Sequence, residues 1–338
     1  MRVPARRALL AVALALAAHQ ALAAGDYSRR EPVRRFVAEM VSRHGFVKRE
    51  LELVFSRARS QPAVIRAMSS PADAALGSWQ SYRSVFVSRE RIESGLQFWE
   101  TNEATLERAA RQFGVPRQIM VAILGIETVY GRNTGSYRVI DALATLAFDY
   151  PRRAGFFRSE LEHFLLFSRD AGLDVLAVKG SYAGAIGIPQ FMPGSYRRFG
   201  IDYDGDGQTD LSSSAADAIG SVANFLKEHG WERGAPVAFA AQVSGGRFRE
   251  LVNSGVRPLY RVGELPQFGV TLDGHAAAET PCALIELATP GLPSEFRVAL
   301  QNFYVLTRYN RSNFYAAAAA DLARELAEER RTRDARTP

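Results

Sequence analysis

Glu127 is the residue whose surroundings most clearly suggest chemistry. It is the only charged side chain in the run from Gln118 to Tyr130, which is apolar on nearly every helical face. Such a helix is normally buried, and both burial and the negative C-terminal end of a helix disfavour an ionised carboxylate. An acid that stays protonated near neutral pH can donate a proton to a leaving glycosidic oxygen. A structural Glu inside a core would show the same pattern, so both interpretations stand on this run alone.

The helix that would carry Glu127 has signals at both ends. Pro116 suits the first turn of a helix, because proline lacks the N–H group that has no helical partner there. Gly131 suits the end of the helix, where a left-handed residue is common. The sequence therefore predicts a buried helix between these two residues, with Glu127 near its C-terminal end.

The segment that begins at Asp202 has the spacing of a metal-binding loop. Asp202, Asp204 and Asp206 stand at alternate positions, and Gly207 occupies the sixth. An EF-hand loop begins in this way, because its acidic side chains offer oxygen ligands to a hard cation and its glycine permits a sharp turn. We therefore expect a structural calcium ion in this loop. An acidic turn without metal is the alternative.

The rest of that loop departs from the EF-hand pattern. Gln208 stands where a backbone carbonyl usually binds the ion, but the twelfth position is Ser213 rather than a bidentate Glu. Asp217, on a predicted helix from Ala215 to His229, is the best substitute for the missing ligand. We expect weak binding, in the range of roughly 10⁻⁴ to 10⁻³ M that extracellular modules show. No organic cofactor is predicted.

The N-terminal residues have the pattern of a secretory signal peptide. Three arginines precede the apolar stretch from Ala8 to Ala18, and the small residues from Ala21 to Ala23 suit a cleavage site. The stretch is short for a transmembrane helix, and a lipoprotein would need a cysteine at the cleavage site. The pattern predicts a soluble periplasmic protein, exported by the Sec or the twin-arginine route.

Composition narrows the functional classes only slightly. A chain of 338 residues with 47% hydrophobic side chains can form a sizeable core. Its net charge of +6 falls to about +3 without the three arginines of the signal peptide, which is too little to indicate nucleic acid as a partner. The single cysteine, Cys282, excludes an internal disulfide and is interpreted as a small core residue.

Most of the chain has helical periodicity, and one region has the texture of short strands. Apolar side chains at helical spacing occur in residues 31–59, 89–113, 160–168 and 315–329. Short strand-like runs separated by Gly and Pro are residues 236–243, 270–272 and 282–287, with 296–306 as a further candidate. The charged tail after residue 329 is predicted to be disordered.

Several ordered blocks of the sequence carry a family resemblance. They are residues 114–131, 141–154, 180–187, 190–193 and 202–231, with further matches at 79–83, 98–99 and 309–315. Together the blocks resemble the lytic murein transglycosylase B family (glycoside hydrolase family 103, soluble form). They cover most of the chain after the predicted signal peptide. The chain departs from the expected pattern at Gly187-Ile-Pro189, where relatives are expected to have Tyr-Gly before Gln190.

The resemblance implies a mainly α fold of the α+β class. It comprises a lysozyme-like helical core with an EF-hand-like loop, a small β-rich insertion and an additional helical subdomain. The implied segments are the signal peptide 1–23, the N-terminal helical subdomain 24–110, the lysozyme-like core 111–235, the β-rich subdomain 236–300, a C-terminal segment 301–329 that returns to the core and the helical subdomain, and the tail 330–338.

The resemblance also implies a peptidoglycan lytic transglycosylase, a carbon–oxygen lyase that acts on a polysaccharide in cell-wall turnover. It would cleave the β-1,4 bond between N-acetylmuramic acid and N-acetylglucosamine and form a 1,6-anhydro-N-acetylmuramic acid end. Glu127 matches the family's single catalytic acid. It would protonate the glycosidic oxygen and then, as a base, take the proton of the C6 hydroxyl that attacks C1. Such a reaction does not need the second carboxylate of an ordinary glycosidase.

The resemblance extends to substrate-binding positions. The implied residues are Ser181, Gln190, Tyr82, Tyr309, Asn310, Tyr315, Arg152 and Arg153. The serine and the glutamine match polar residues of the family's sugar-binding groove, and the Tyr-Asn pair matches residues close to the catalytic acid. Aromatic rings that could pack against sugar faces are those of Tyr82, Tyr130, Tyr182 and Tyr315, and the arginine pair could bind lactyl or peptide carboxylates. Turn, capping, core and solvated roles are the alternatives at these positions.

Two other functional classes remain in view. A hydrolytic muramidase would share the acid but produce reducing ends, and a non-catalytic peptidoglycan-binding protein would have no activity to lose on substitution of Glu127. A calcium-regulated protein would respond to the ion with a large conformational change, which a single irregular loop does not favour. The predicted partners are peptidoglycan glycan strands and not nucleic acid, proteins of cell-wall synthesis or turnover are candidates, and the chain is expected to be a monomer.

Overall fold

The computed structural model describes residues 27–69 and 76–336. The predicted signal peptide, residues 1–23, lies outside the described residues. Within the described ranges, no helix is both long enough and apolar enough to cross a membrane.

Helices dominate the secondary structure. The α-helices of the described residues are α1 (Glu31–His44), α2 (Lys48–Arg57), α3 (Pro62–Ser69), α4 (Trp79–Phe86), α5 (Arg89–Thr101), α6 (Glu103–Phe113), α7 (Arg117–Thr128), α8 (Val139–Asp149), α9 (Ala154–Asp170), α10 (Pro193–Phe199), α11 (Ala215–Glu228), α12 (Phe248–Asn253), α13 (Gln301–Tyr309) and α14 (Asn313–Asp334). Short 3-10 helices are Tyr27–Arg29, Pro151–Arg153 and Val262–Phe268. The strands are β1 (Tyr137–Arg138), β2 (Lys179–Gly180), β3 (Ala238–Val243), β4 (Tyr260–Arg261), β5 (Val270–Asp273), β6 (Pro281–Leu287) and β7 (Glu295–Ala299).

The chain divides into two compact units, and neither is continuous in sequence. The described part of the first unit is residues 27–69, 135–186 and 190–198, and that of the second is 76–134, 187–189 and 199–336. The predicted N-terminal subdomain 24–110 is therefore split between them. Its first part packs with α8, whereas its second part belongs to the unit that contains Glu127.

The first unit is organised around the buried helix α8. Asp141 in its first turn accepts two hydrogen bonds from the Arg138 guanidinium, at 2.8 and 2.9 Å, and one from the Arg59 backbone N–H, at 2.9 Å. Asp149 at its last turn accepts from Tyr27 and Arg30, each at 2.5 Å. These two carboxylates therefore serve to hold the N-terminal segment in place.

Breaks in the helices follow simple local rules. The predicted helical stretch 31–59 is two helices, because Gly45 ends α1 in a left-handed conformation with φ of 68°. The stretch 89–113 is also two helices, α5 and α6, with Asn102 between them. Both boundaries lie at residues that tolerate non-helical backbone.

The second unit is built around α7, with α14 packed against it. Every residue from Ile119 to Ile126 is buried, as the apolar run predicted. The opposing face of α14 buries Tyr315, a run of alanines and Leu322. The helix continues to Asp334 instead of ending at residue 329 as predicted, and its last turns carry ion pairs with i,i+4 spacing such as Arg330 with Asp334 at 3.7 Å.

The small sheet belongs to the second unit. Its strands are antiparallel in the order β4-β6-β7-β3-β5. Its core contains the fully buried Cys282, together with Leu284 and Val298, and α12 packs Leu251 against them. The strand predicted over 296–306 is correct only for its first part, because β7 ends at Ala299 and the chain continues as α13.

Candidate active site and metal-binding loop

Glu127 lies in the last turn of α7 and meets a side chain from α14. The Tyr315 hydroxyl donates a hydrogen bond to Glu127 Oε1, with 2.7 Å between the oxygens. Tyr315 is 1% exposed, whereas Glu127 keeps part of its surface open. The close packing of α7 on α14 therefore gives one carboxyl a fixed hydroxyl partner and leaves it accessible.

The surroundings set the acidity of this carboxyl. Burial raises the pKa of Glu127 to about 7, and the hydrogen bond from Tyr315 opposes this rise because it favours the carboxylate. A carboxyl with a pKa near 7 is populated in both forms at neutral pH, so it can donate a proton and later accept one. Burial and the nearby Glu127 hold the pKa of Tyr315 well above its usual range, so this residue stays a donor.

Tyr309 supports this arrangement from the end of α13. Its ring lies parallel to that of Tyr315, with 6.3 Å between centroids and an interplanar angle of 8°. Its hydroxyl donates to the Pro189 carbonyl at 2.6 Å. Asn310, its predicted companion, is exposed and ends α13, where its carbonyl accepts from the Ser312 N–H at 2.8 Å. The structure therefore brings Tyr309 to the acid's neighbour and gives Asn310 a capping position.

The chain after Glu127 does not turn as the sequence predicted. Gly131 was expected to end the helix, but α7 ends at Thr128, and Val129 and Tyr130 adopt left-handed conformations with φ of 52° and 61°. The Thr128 hydroxyl donates to the Ile188 carbonyl at 2.8 Å and accepts from the Gly131 N–H at 2.9 Å. This hydroxyl thus joins the end of α7 to residues 187–189.

Two of the predicted sugar-packing tyrosines are buried. Tyr82 is 3% exposed, and its ring packs on Phe86 at 4.5 Å and Phe314 at 5.7 Å. The aromatic neighbours enclose this ring, and the substrate-binding role of Tyr82 stays a prediction. Tyr315 is buried as well, so its contribution is the hydroxyl that reaches Glu127 and not a ring surface.

The remaining predicted binding residues lie in the first unit. Ser181 forms a tight turn, in which its hydroxyl accepts from the Ala185 N–H at 3.1 Å. Gln190 is partly exposed and has a left-handed backbone, with φ of 51°. Arg152 and Arg153 are exposed, and the guanidinium of Arg153 lies 4.3 Å from the Phe156 ring centroid. The binding roles of these four residues stay predictions.

The acidic loop after Asp202 has a compact group of carboxylates. Ligand atoms of Asp202, Asp204 and Asp217 all lie within 4.8 Å of one another. The Asp202 carboxylate accepts from the N–H groups of Gly205 at 2.7 Å and Gly207 at 2.8 Å, which folds the loop around it. Asp217, which the sequence offered as the substitute ligand, is therefore brought from α11 to the loop.

Asp206 and Asp217 differ in how they relate to this group of carboxylates. Asp206 lies outside this group, because its carboxylate turns back to accept from the Gln208 N–H at 2.8 Å. Asp217 is 1% exposed and already accepts from the N–H groups of Tyr203 at 2.6 Å and Asp210 at 2.7 Å. Asp217 Oδ1 also accepts from the Asp204 N–H at 3.3 Å, whereas its Oδ2 accepts from Asp210 alone and has a further lone pair. Each of the three grouped aspartates therefore still offers a carboxylate oxygen of the kind that calcium prefers.

A large cavity in the second unit is separate from the acid. Its volume is about 1690 Å³, and its walls include residues of α4, α14, β3 and β7, among them Trp79 and Arg297. Neither Glu127 nor Tyr315 lines it. Several of its arginines are held in ion pairs, such as Arg297 with Asp321 at 2.8 Å, so we interpret the cavity as part of the packing between the sheet and the helices.

Comparison with known proteins agrees with this fold. Residues 28–324 match the family described as the transglycosylase SLT domain. The chain is 39% identical over 311 residues to the membrane-bound lytic murein transglycosylase B of Escherichia coli (strain K12), covering 90% of this chain and 84% of that protein.

Solved structures extend the comparison. The catenated lytic transglycosylase SltB1 of Pseudomonas aeruginosa matches with a TM-score of 0.85 and 43% identity, over 90% of this chain and 100% of that one. The Escherichia coli lytic transglycosylase Slt35 in complex with calcium matches with a TM-score of 0.81 and 38% identity, over 90% and 96%. SltB3 of Pseudomonas aeruginosa in complex with NAG-anhNAM-pentapeptide matches with a TM-score of 0.73 and 27% identity, over 87% and 78%.

The mainly helical fold with its small sheet is the lysozyme-like fold of the lytic transglycosylases. The chain belongs to the transglycosylase SLT domain family, and its activity is that of a lytic transglycosylase. The resemblance inferred from the ordered sequence blocks is therefore confirmed.

Proposed function

We propose that Glu127 is the single catalytic acid and base of this peptidoglycan lytic transglycosylase. The observation that supports the role is a carboxyl with a pKa near 7, held by the Tyr315 hydroxyl in the last turn of a buried helix. Burial and that hydroxyl are the two causes of its shifted pKa, and neither of them is a second carboxylate. One acid that is poised between its two forms suits a reaction with two successive proton transfers.

The proposed reaction needs no water. Protonated Glu127 gives its proton to the oxygen that links N-acetylmuramic acid to N-acetylglucosamine, and the bond from that oxygen to C1 breaks. The resulting carboxylate, stabilised by Tyr315, then takes the proton of the C6 hydroxyl as O6 bonds to C1 of the same sugar. The residue returns to its protonated form, and the muramoyl end leaves as a 1,6-anhydro sugar. The similar SltB3 was solved with a fragment that contains an anhydro-muramoyl unit.

Digestion of purified peptidoglycan tests this proposal. Mass spectrometry should find muropeptides about one water lighter than hydrolase products and without reducing ends. Glu127→Gln, which keeps the shape but cannot exchange a proton, should lower the cleavage rate by at least about 10²-fold while preserving the fold and binding. Mainly reducing-end products would identify a hydrolytic muramidase. Activity of Glu127→Gln within a few-fold of wild type would remove Glu127 from the mechanism.

We also propose that the acidic loop binds calcium as a structural ion. The support is the approach of Asp202, Asp204 and Asp217 within 4.8 Å and the calcium complex of the similar Slt35. These carboxylates would hold the ion, with the Gln208 backbone carbonyl as a further oxygen. A bound cation would neutralise repulsion between the carboxylates and connect the loop to α11.

We infer a periplasmic location from the signal-peptide pattern and the nature of the substrate. Peptidoglycan glycan strands are the proposed partner, as for the similar SltB3 with its bound fragment. Cell fractionation with detection of the processed N-terminus tests the location, and a chain retained unprocessed in the cytoplasm would contradict it.

A further inference from the structure

The backbone that follows Glu127 is strained. Val129 and Tyr130 are consecutive non-glycine residues with positive φ, and valine is among the residues that enter this region least readily. The Tyr130 N–H donates to the Leu124 carbonyl at 3.2 Å and the Val129 N–H to the Gly125 carbonyl at 3.1 Å, which closes the helix end. Such a turn usually contains glycine, so other contacts must hold it here.

The Tyr130 side chain supplies one of these contacts. Its hydroxyl donates to the Arg91 carbonyl of α5 at 2.9 Å, and its ring stacks on Phe98 with 5.4 Å between centroids. The ring lies against two helical glycines. A Cβ atom at Gly95 would come within 2.3 Å of the Tyr130 hydroxyl oxygen, and one at Gly125 within 2.4 Å. The ring therefore occupies a slot that exists only because both positions are glycine.

Arg91 returns the contact in the opposite direction. Its Nε donates to the Gly125 carbonyl in the last turns of α7, at 3.0 Å, and its Nη1 donates to the Val85 carbonyl at 2.5 Å. A positive charge is favourable at this end of a helix. The Arg91 carbonyl thus accepts a hydrogen bond from Tyr130, after Glu127, and its guanidinium donates one to the Gly125 carbonyl, before Glu127. The two bonds fix both sides of the turn that carries the acid.

We propose that Tyr130 is a positioning residue for the reaction: seated in the Gly95–Gly125 slot, it holds the last turn of α7 so that the Glu127 carboxyl meets the Tyr315 hydroxyl. The inference rests on the proposed role of Glu127. Tyr130 contacts Arg91, Phe98 and the two glycines, so it would act through the backbone turn and not through direct contact with the acid. Displacement of this turn by about 1 Å can cost on the order of 10²-fold in rate, because proton transfer requires close alignment.

Kinetics of variants on purified peptidoglycan test the proposal. We expect Tyr130→Ala to lower kcat about 10²-fold with little change in KM, and Tyr130→Phe to lower it several-fold. Gly125→Ala should resemble Tyr130→Ala, because the added methyl group takes the place of the ring. The double variant Gly125→Ala with Tyr130→Ala should be no worse than Tyr130→Ala alone, since both changes act on one contact.

The pH profile separates positioning from simple loss of stability. A loosened turn admits water to Glu127 and lowers its pKa, so the alkaline fall of kcat/KM should move to lower pH in the Tyr130 and Gly125 variants. Tyr260→Ala is the matched control, because that ring packs on Phe268 at 5.7 Å in a different part of the unit. It should reduce the melting temperature without moving the profile.

The outcomes distinguish this inference from the role of Glu127. If Glu127→Gln is inactive but Tyr130→Phe and Gly125→Ala keep the wild-type rate and pH profile, the positioning role is overturned and the acid stands. If Tyr130→Ala does not fold, these two milder variants still decide the question. If Glu127→Gln is active, Glu127 is not the catalytic acid. Any effect of the Tyr130 variants would then be an effect on packing and not on the position of the acid.

Discussion

The two carboxylate-bearing regions of the second unit are built in opposite ways. Glu127 depends on Tyr315, 188 residues later in the chain, and on contacts with α5 and residues 187–189. The loop after Asp202 depends on N–H groups of its own backbone, and even Asp217 accepts from Tyr203 only 14 residues away. A desolvated single acid thus requires tertiary packing, whereas a cation-binding loop can be specified by a short sequence.

The same difference appears in their charges. Burial raises the pKa of Glu127 to about 7, so this acid is partly neutral at physiological pH. Asp204 and Asp206 are exposed, and their carboxylate groups are the kind of oxygen ligand that a hard cation attracts. The proposed role of Glu127 depends on its ability to gain and lose a proton near neutral pH. The proposed role of the acidic loop depends on the attraction between its carboxylates and a cation. Changes in pH and in calcium should therefore act on different regions.

Tyr315→Phe should have a large effect on the rate, because it removes the hydrogen-bond partner of Glu127. Tyr315 stabilises the carboxylate that forms as Glu127 donates its proton, and a hydrogen bond to a charged group is worth about 1.5–3 kcal/mol. We expect kcat to fall roughly ten- to hundredfold. The pKa of Glu127 should rise, so the alkaline limb of the kcat/KM profile should move to higher pH.

Tyr309→Phe is the control for that change, because its hydroxyl binds the Pro189 carbonyl and not Glu127. It should leave the position of the alkaline limb unchanged. A Tyr315→Phe profile that overlaps the wild-type profile would show that the hydroxyl does not set the acidity of Glu127.

Glu127→Gln should change stability in a pH-dependent manner. The pKa of Glu127 is about 7 in the folded protein, against an ordinary value of 4.5 for an exposed Glu as in the unfolded chain. Between these two pH values the folded state therefore binds more protons than the unfolded state. Stability contributed by protonated Glu127 is fully present below pH 4.5 and is lost as the pH rises through 7. Because Gln does not ionise, the variant does not lose this stability as the pH rises. Relative to wild type, its free energy of unfolding should be higher by about 1–3 kcal/mol at pH 8 and unchanged at pH 4.

Melting temperatures of wild type and Glu127→Gln across this pH range provide the measurement. A constant difference between the two proteins at all pH values would show that the carboxyl is not desolvated. Agreement with the expected slope would connect the acidity of the site directly to its burial.

Calcium should have a smaller effect, and only through the acidic loop. With a dissociation constant of roughly 10⁻⁴ to 10⁻³ M, 10 mM calcium stabilises by about 1.4–2.7 kcal/mol, which raises the melting temperature by a few degrees. Asp204→Ala with Asp206→Ala should abolish the rise, and the folded variant should retain cleavage. Unchanged wild-type melting at this concentration would indicate a metal-free turn. Loss of calcium binding in Asp204→Ala alone, with Asp206→Ala unaffected, would sharpen the ligand assignment.

Val129→Gly should have the smallest effect on stability. It relieves the cost of a left-handed valine, about 1–2 kcal/mol, but adds freedom to the unfolded chain worth about 0.4–1 kcal/mol. A melting temperature equal to or slightly above that of wild type is expected. Val121→Gly, in the buried middle of α7, should lose several kcal/mol, as cavity and helix effects add. Similar losses in both variants would show that the turn after Glu127 is unstrained.

The contrast between the regions also explains what could be predicted from the sequence. The burial of α7, the candidate acid and the acidic loop could all be predicted from the sequence, because each depends on residue types at short spacing. The choice of Asp217 as a candidate ligand could be predicted for the same reason. Tyr315 was placed near the site by family resemblance, but its role as the hydroxyl partner of Glu127 was not, because this contact spans most of the chain.

Other features of the site were missed because they depend on packing. The two helical glycines at 95 and 125 were a readable signal, since glycine inside a helix is unfavourable unless something occupies its missing side chain. The ring that occupies the space, Tyr130, was interpreted as a sugar surface. The division of the chain into two units was also missed, because periodicity does not show which distant segments associate.

The position of Tyr315 on α14 has a consequence for biosynthesis. A ribosome makes the segment with Glu127 long before it reaches residue 313, where that helix begins. Until α14 docks, the nascent chain carries the acid without the hydroxyl that assists it. With Glu127 as the proposed acid, the pair of side chains that would perform the proton transfers is assembled only after α14 has been made and has docked on α7.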